Sequence, residues 1–226
     1  MKKTFFFLLF LLFYGYGVCQ SQPELFGLNP ELYSGCLYTY RLNKDTKGNQ
    51  YFDSPEFSNG YAILNGKKYD NILLNFDIVN ELPLLQFTQK NGFTASLILP
   101  LTQLEEFSLG KQRFSVFASA SDSVKQIYQV IGTDSIQIFY HWSKRLKTSG
   151  VSGSPQIDII YEPTKRYLLL DGKLYSYSNK GSFIKRFPKD YRSKITAFMK
   201  EIGMKRMKDS EQKLLTLIDY CNTLIQ

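Results

Sequence analysis

Residues 61–78 read YAILNGKKYDNILLNFDI, two apolar-rich runs joined by Asn65-Gly66. Asn-Gly is the pair that a two-residue type I′ turn asks for, because both central positions take positive φ. Beyond the turn the chain alternates. Ile72, Leu74, Phe76 and Ile78 fall on one face, and Asn75 and Asp77 fall on the other, which is the period of a half-buried strand. The device recurs at Asn91-Gly92 in FTQKNGFTASLIL and at Asp171-Gly172 in YLLLDGKLYSYS. Longer hairpin loops are predicted at Gly132-Thr133-Asp134 and at Asn179-Lys180-Gly181. In SIQIFYHW, Ile136, Ile138 and Tyr140 oppose Gln137, Phe139 and His141. Turns of this kind, each flanked by strand-like runs, predict a long antiparallel meander. Roughly ten to twelve strands are expected between Leu37 and Phe187, and a sheet that long must curl or close. A half-barrel or roll follows.

After Phe187 the period changes from two to that of a helix. PKDYRSKITAFMKEIGMK opens on Pro188, which suits a first helical turn. Tyr191, Ile195, Phe198 and Ile202 then recur at helical spacing, and Gly203 suits the stop. A second helix is predicted from Asp209 or Ser210, with Leu214, Leu217, Ile218, Cys221, Leu224 and Ile225 on its apolar face. Two such stripes need a partner, and one face of the sheet is the nearest. The expected fold class is therefore α+β, with an antiparallel part over 37–187 and a two-helix hairpin over 188–226. The stretch SKRLKTSGVSGSPQ, residues 143–156, lacks periodicity and is predicted to be a loop.

The chain begins MKKTFFFLLFLLFYGYGVC. Lys2 and Lys3 precede an unbroken apolar run from Phe5 to Phe13, and Gly17-Val18-Cys19 ends on small residues. This is the three-part pattern of a secretory signal peptide over residues 1–19, with cleavage before Gln20. The run falls short of the roughly 20 apolar residues a spanning helix needs, and no later segment supplies them. The alternative is a lipid-modified Cys19, although Tyr16 sits where a lipoprotein signal usually has Leu. Residues 20–226 then form a single exported domain, placed in the periplasm or outside the cell, without a transmembrane segment.

Aromatic residues make up 15% of the chain, which favours sheets. The formal charge of +8 is unevenly spread. Residues 20–141 hold nine Lys/Arg against twelve Asp/Glu, whereas residues 142–208 hold sixteen against five. Such a block can attract an anionic surface, or it can be an ordinary solvated exterior. Once the leader is removed, Cys36 and Cys221 remain. They either pair as a disulfide closing a very long loop or stay as two separately buried thiols.

Catalytic grammar is sparse. One histidine, His141, cannot build a zinc site with two or three His ligands, and no cysteine has metal-ligand spacing. No G-x-S-x-G elbow supplies a nucleophile and no glycine loop leads into a phosphate-binding helix. The carboxylate pairs Asp158/Glu162, Glu105/Glu106 and Asp70/Asp77 lack a spacing that defines a catalytic gap. No catalytic residue, metal ligand or cofactor is assigned, and the chain is read as non-enzymatic. A basic-aromatic surface is predicted around Tyr161, Arg166, Tyr175 and Tyr177. In an exported sheet protein it points away from nucleic acid.

The run SPEFSNGYAILNGKKYDNILLNFDI, residues 54–78, resembles a signature of small exported proteins of Bacteroidota that have no assigned activity. The features that carry it are Ser54-Pro55 with Phe57, Gly60, Asn65-Gly66, Tyr69, and Leu74, Phe76 and Asp77; the closing YCNTL, residues 220–224, adds to it. The resemblance implies export and transfers no catalytic residue. The expected function is that of an envelope or secreted module binding a macromolecule, either another envelope protein or an anionic envelope surface. A carrier of lipid or another hydrophobic ligand, using the curved sheet as a cup, is the alternative.

Overall fold

The computed structural model describes residues 29–89, 91–118, 124–149, 156–207 and 209–225. The predicted signal segment and Cys19 lie outside them. Among the described residues fourteen strands and three helices follow one another in chain order. The first eight strands are β1 (Cys36–Leu37), β2 (Thr46–Lys47), β3 (Ser58–Leu64), β4 (Lys67–Asp77), β5 (Leu82–Thr88), β6 (Thr94–Ile98), β7 (Leu104–Leu109) and β8 (Gln112–Ala118). Then come β9 (Lys125–Ile131), β10 (Gln137–His141), β11 (Lys144–Ser149), β12 (Gln156–Tyr161), β13 (Lys165–Leu170) and β14 (Lys173–Ser176). The helices are α1 (Lys180–Ile184), α2 (Lys189–Glu201) and α3 (Glu211–Ile225). Eleven strands form one open antiparallel sheet in the order β1-β6-β5-β4-β3-β7-β8-β9-β10-β13-β14, and β11-β12-β2 form a second. The expected α+β class, an antiparallel meander followed by a helical pair, is the architecture found.

The turns explain the hairpins. Asn65 and Gly66 take φ of 49° and 76°, and Asp171 and Gly172 take 50° and 71°, so both dipeptides form the tight turns their chemistry favours. The β9–β10 connection contains Gly132-Thr133-Asp134 as expected. Asn91-Gly92 departs from the prediction. Only Gly92 has positive φ, and the Asn91 side chain accepts the Phe93 N–H, so the pair sits in a wider loop closed between Gln89 and Phe93. Asn179-Lys180-Gly181 is not a hairpin loop either. Asn179 caps α1 through a reciprocal pair of bonds with Ser182, which draws the chain out of the sheet into a short helix.

The predicted 143–156 loop is in part a strand. Residues 144–149 pair along β12 from Lys144↔Tyr161 to Ser149↔Gln156. The Ile157–Tyr161 run supplies the partner that local composition did not reveal, and β2 joins its other edge in parallel.

Two large hydrophobic clusters and a small third one, of Tyr128, Val130 and Phe139, occupy the sheet among the described residues. The first belongs to β3–β8 and is packed with rings. Phe107 stacks on Phe114 at 4.9 Å, Phe76 meets both edge-on at 5.7 Å, and Phe52 meets Phe114 at 5.1 Å. The second lies where the helices cover β9, β10 and β13. Ile195 and Met199 of α2 and Leu214, Leu217, Ile218 and Cys221 of α3 are buried with Ile138, Tyr140 and Leu168. Pro188 caps α2, and Gly203 (φ 61°) follows its end, as the sequence predicted. Asn222 fixes α3 to the β9–β10 loop by exchanging bonds with the backbone N–H and C=O of Ile136.

Cys36 and Cys221 do not pair with one another. Cys221 is a free thiol buried under α3, whereas Cys36 lies on β1 at the far end of the strand order. Burial pushes the Cys221 thiol up to about 12.

Candidate functional site

The helical cap and the small sheet leave an open groove between them, with a volume of about 540 Å³. The main sheet supplies Gln129, Ile131, Tyr140 and Arg166 to it. The helix pair and its connection supply Met207, Asp209, Glu211 and Leu214, and the segment after β2 contributes Phe52 and Asp53. Trp142, Tyr161, Thr164 and Gln112 of β8 complete the wall.

Each aromatic group is held by a bond that leaves its ring in place. Trp142 donates its indole N–H to Gln129 Oε1 (2.8 Å), and Tyr161 donates its hydroxyl to the Phe52 carbonyl (2.7 Å). Trp142 meets Phe52 and Tyr140 edge-on at 5.6 and 6.1 Å. Behind Tyr161 stands Lys144, buried, with its ammonium 4.5 Å from the ring centre. That ammonium donates to the Asn49 carbonyl (3.0 Å), to Asn49 Oδ1 (3.1 Å) and to the Tyr51 carbonyl. Burial lowers the Lys144 pKa, and the neighbouring Asp53 and Asp77 carboxylates oppose that shift. The Tyr161 phenol is pushed up by burial first and by Asp53 second. The aromatic wall is thus built before any ligand arrives, which lowers the ordering cost of binding.

Arg166 connects the groove to its surroundings. Its guanidinium lies near the Ser178 carbonyl (3.5 Å), and it also lines two further cavities beside the groove. Beneath it are Tyr140 and Tyr177. The Tyr140 hydroxyl reaches the Met207 carbonyl at 3.5 Å. The Tyr177 hydroxyl lies beside it, buried, without a well-formed hydrogen bond of its own among the described residues. Burial is the main cause raising both phenols.

Of the four residues the sequence singled out, Tyr161 and Arg166 meet in the groove. Tyr177 is packed against Phe183 at 5.2 Å in the second cluster, so it is a wall beneath the surface. Tyr175 lies elsewhere, with the Arg186 guanidinium 5.8 Å from its ring. Trp142, Phe52, Gln129 and the α2–α3 connection were not foreseen. The one signal available was that the chain has a single tryptophan, immediately after an alternating strand.

The carboxylates weighed as catalytic pairs have other partners. Asp158 accepts from Ser149 and Gln156, and Glu162 accepts from Ser143 and lies 3.3 Å from Arg145. Glu105 accepts the Gly66 N–H, Glu106 faces Tyr61 and Arg113, and Asp70 pairs with Lys68. Asp77 is buried and accepts from Tyr38, from Asn80 Nδ2 and from the amides of Val79 and Asn80. His141 is buried outside the groove, with Nε2 3.3 Å from Glu81. Among the described residues no group of three or more His, Cys, Asp or Glu could hold a metal ion. No helix there is long and apolar enough to cross a membrane.

No protein-family model matches the chain, and no curated protein or solved structure does either. The residues behind the resemblance noted above serve the fold. Ser54 and Glu56 offer carbonyls to the Asn75 side chain, Tyr69 donates to Glu31, and Gly60 sits where a Cβ would lie 2.0 Å from the Ser108 carbonyl oxygen.

Proposed function

We propose that the protein is an exported binding module of the cell envelope, and that its groove holds a segment of a macromolecular partner. One observation carries the reading: a preformed aromatic wall (Phe52, Trp142, Tyr161) faces polar groups of both kinds across an open groove. Rings supply flat apolar area at little entropic cost. Arg166, Gln112 and Gln129 can donate, while Asp53, Asp209 and Glu211 can accept. The carboxyl of Asp209 is held below its ordinary range, chiefly by the backbone amide of Lys205, and so presents as an anion. This mixture suits a polar chain bearing occasional apolar groups. Export rests on the Lys2-Lys3, Phe5–Phe13 and Gly17-Val18-Cys19 pattern.

The rival reading, a hydrophobic-ligand carrier, draws on the same aromatic wall. The three carboxylates weigh against a hydrocarbon occupant, since covering a charged group with an apolar chain is costly. The test is photo-crosslinking in native cells from a benzoylphenylalanine placed at Thr164, with the exposed Phe93 position as control. A discrete product from position 164 alone supports the reading. Equal products from both positions, or none above background, would remove it.

A further inference from the structure

We infer that the cavity adjoining the groove behind Arg166 is a binding site for a phosphate group. The inference stands whether or not the groove holds a partner. The cavity, of about 390 Å³, is lined by Arg166, Lys180, Lys205 and Arg206 together with Ser178 and Asn179. The four cations come from separate pieces of chain: β13, the first residue of α1 and the α2–α3 connection. Like charges gathered in one concavity repel one another and raise the local potential for anions.

Neutralisation is incomplete: Asp209 is felt by Lys180 but forms an ion pair with none of the four cations among the described residues. Among the described residues no carboxylate lines the cavity, and none of the four cations belongs to an ion pair. Asp209 is the nearest acid in sequence, but its Oδ2 accepts the amides of Lys205 (2.8 Å) and Arg206 (3.4 Å), and it lines the groove instead. Lys180 donates one proton to the Met204 carbonyl (2.6 Å), which anchors its ammonium and leaves two without an acceptor among the described residues. The side chains of Lys205 and Arg206 are exposed and make no hydrogen bond among the described residues. The neighbouring cavity, which shares Arg166 and Ser178, adds Lys165 and Arg186 and again no carboxylate.

The chemistry favours phosphate over a carboxylate. A phosphate monoester carries about −1.5 to −2 charges near neutral pH and three acceptor oxygens, so it can engage several of these donors at once. A carboxylate offers one charge and two oxygens. Arg166 and Arg206 supply forked donors and the lysines supply point charges, a combination suited to phosphoryl oxygens. The group can belong to a soluble phosphate ester or to a lipid headgroup.

The test uses the mature chain and its Lys205→Gln/Arg206→Gln variant, with Lys189→Gln/Lys194→Gln as a control that removes equal charge from the exposed face of α2. Inorganic phosphate is titrated by calorimetry at constant ionic strength, and vesicles of phosphatidylcholine with and without phosphatidic acid are tested for co-sedimentation. The expected result is saturable phosphate binding, weakened roughly tenfold or more in the first variant and unchanged in the second. Co-sedimentation only with phosphatidic acid, competed by inorganic phosphate and lost in the first variant, would assign a headgroup. Phosphate binding without vesicle binding would assign a soluble ester. Absence of saturable binding, or equal weakening in both variants, would overturn the site and leave only a diffusely basic surface.

Discussion

The two halves of the large sheet both pack rings on rings, but they give their tyrosine hydroxyls different partners. Around β3–β8, phenylalanines pack on one another, one pair stacked and the rest edge-on, at ring distances of 4.9–5.7 Å, and the tyrosines beside them donate hydrogen bonds to carboxylates. Tyr38 donates to Asp77, Tyr61 to Glu106 and Tyr69 to Glu31. Around β9–β14, by contrast, a buried tyrosine hydroxyl lacks a well-formed bond among the described residues, and the groove and both basic cavities meet at Arg166. The first half closes on itself; the second leaves polar and charged groups uncommitted. Groups left uncommitted in this way are where binding is expected, because a ligand can supply what the fold does not.

The largest expected effect lies in the first half. Phe107→Ala removes a fully buried ring that contacts both Phe76 and Phe114, so urea denaturation should show a loss of about 3–5 kcal/mol. A loss below about 1 kcal/mol would mean that this half is less tightly packed than the comparison requires.

A matched pair of hydroxyl deletions sharpens the contrast. Tyr38→Phe withdraws a 2.6 Å donor from the buried Asp77 and should cost about 1–3 kcal/mol. Tyr177→Phe removes a hydroxyl without a well-formed partner and should be neutral or stabilising by up to about 1 kcal/mol. Equal costs would erase the distinction between the halves.

The smallest effect is a pH dependence at their junction. His141 holds the Glu81 carboxyl below its ordinary 4.5, with burial opposing. The stability this adds is present in full above pH 4.5 and is lost as the pH falls through the lower folded value. Glu81→Gln should therefore flatten the acid side of a melting-temperature profile, by less than about 1 kcal/mol for a half-exposed group. An unchanged profile would place the acid sensitivity at other carboxylates.

The difference between the halves also explains what could be read from the sequence. The tight turns at Asn65-Gly66 and Asp171-Gly172, the alternation of Ile72 to Ile78, and the helix limits at Pro188 and Gly203 are local, so residue chemistry reports them directly. The strand order is not local. After β6 the chain returns to pair β7 with β3 through Ala62↔Phe107, and β2 joins β12 across more than a hundred residues of sequence. No turn residue announces either step. The groove inherits that difficulty, since Phe52, Trp142, Tyr161 and Met207 come together only through such pairings. Tyr161 and Arg166 were legible because they lie near one another along the chain in a basic-aromatic stretch. Tyr175 shares that stretch but packs against the second hydrophobic cluster with Arg186 over its ring, because the alternation of a strand does not say what covers each face. Lys144 misled in another way. Its polar neighbours suggest a loop, yet three backbone and amide oxygens bury its ammonium behind the groove wall.

The central claim, that Arg166 is the hub of a binding surface and not a prop of the fold, is tested most directly by one comparison. The crosslinking yield from a photo-reactive group at Thr164 is measured in native cells with Arg166 intact and with Arg166→Gln, alongside the melting temperature of both proteins. The expected yield is lowered roughly tenfold, as the loss of charge-assisted bonds implies, at an unchanged melting temperature. An unchanged yield, or a yield that falls only in step with stability, would contradict it.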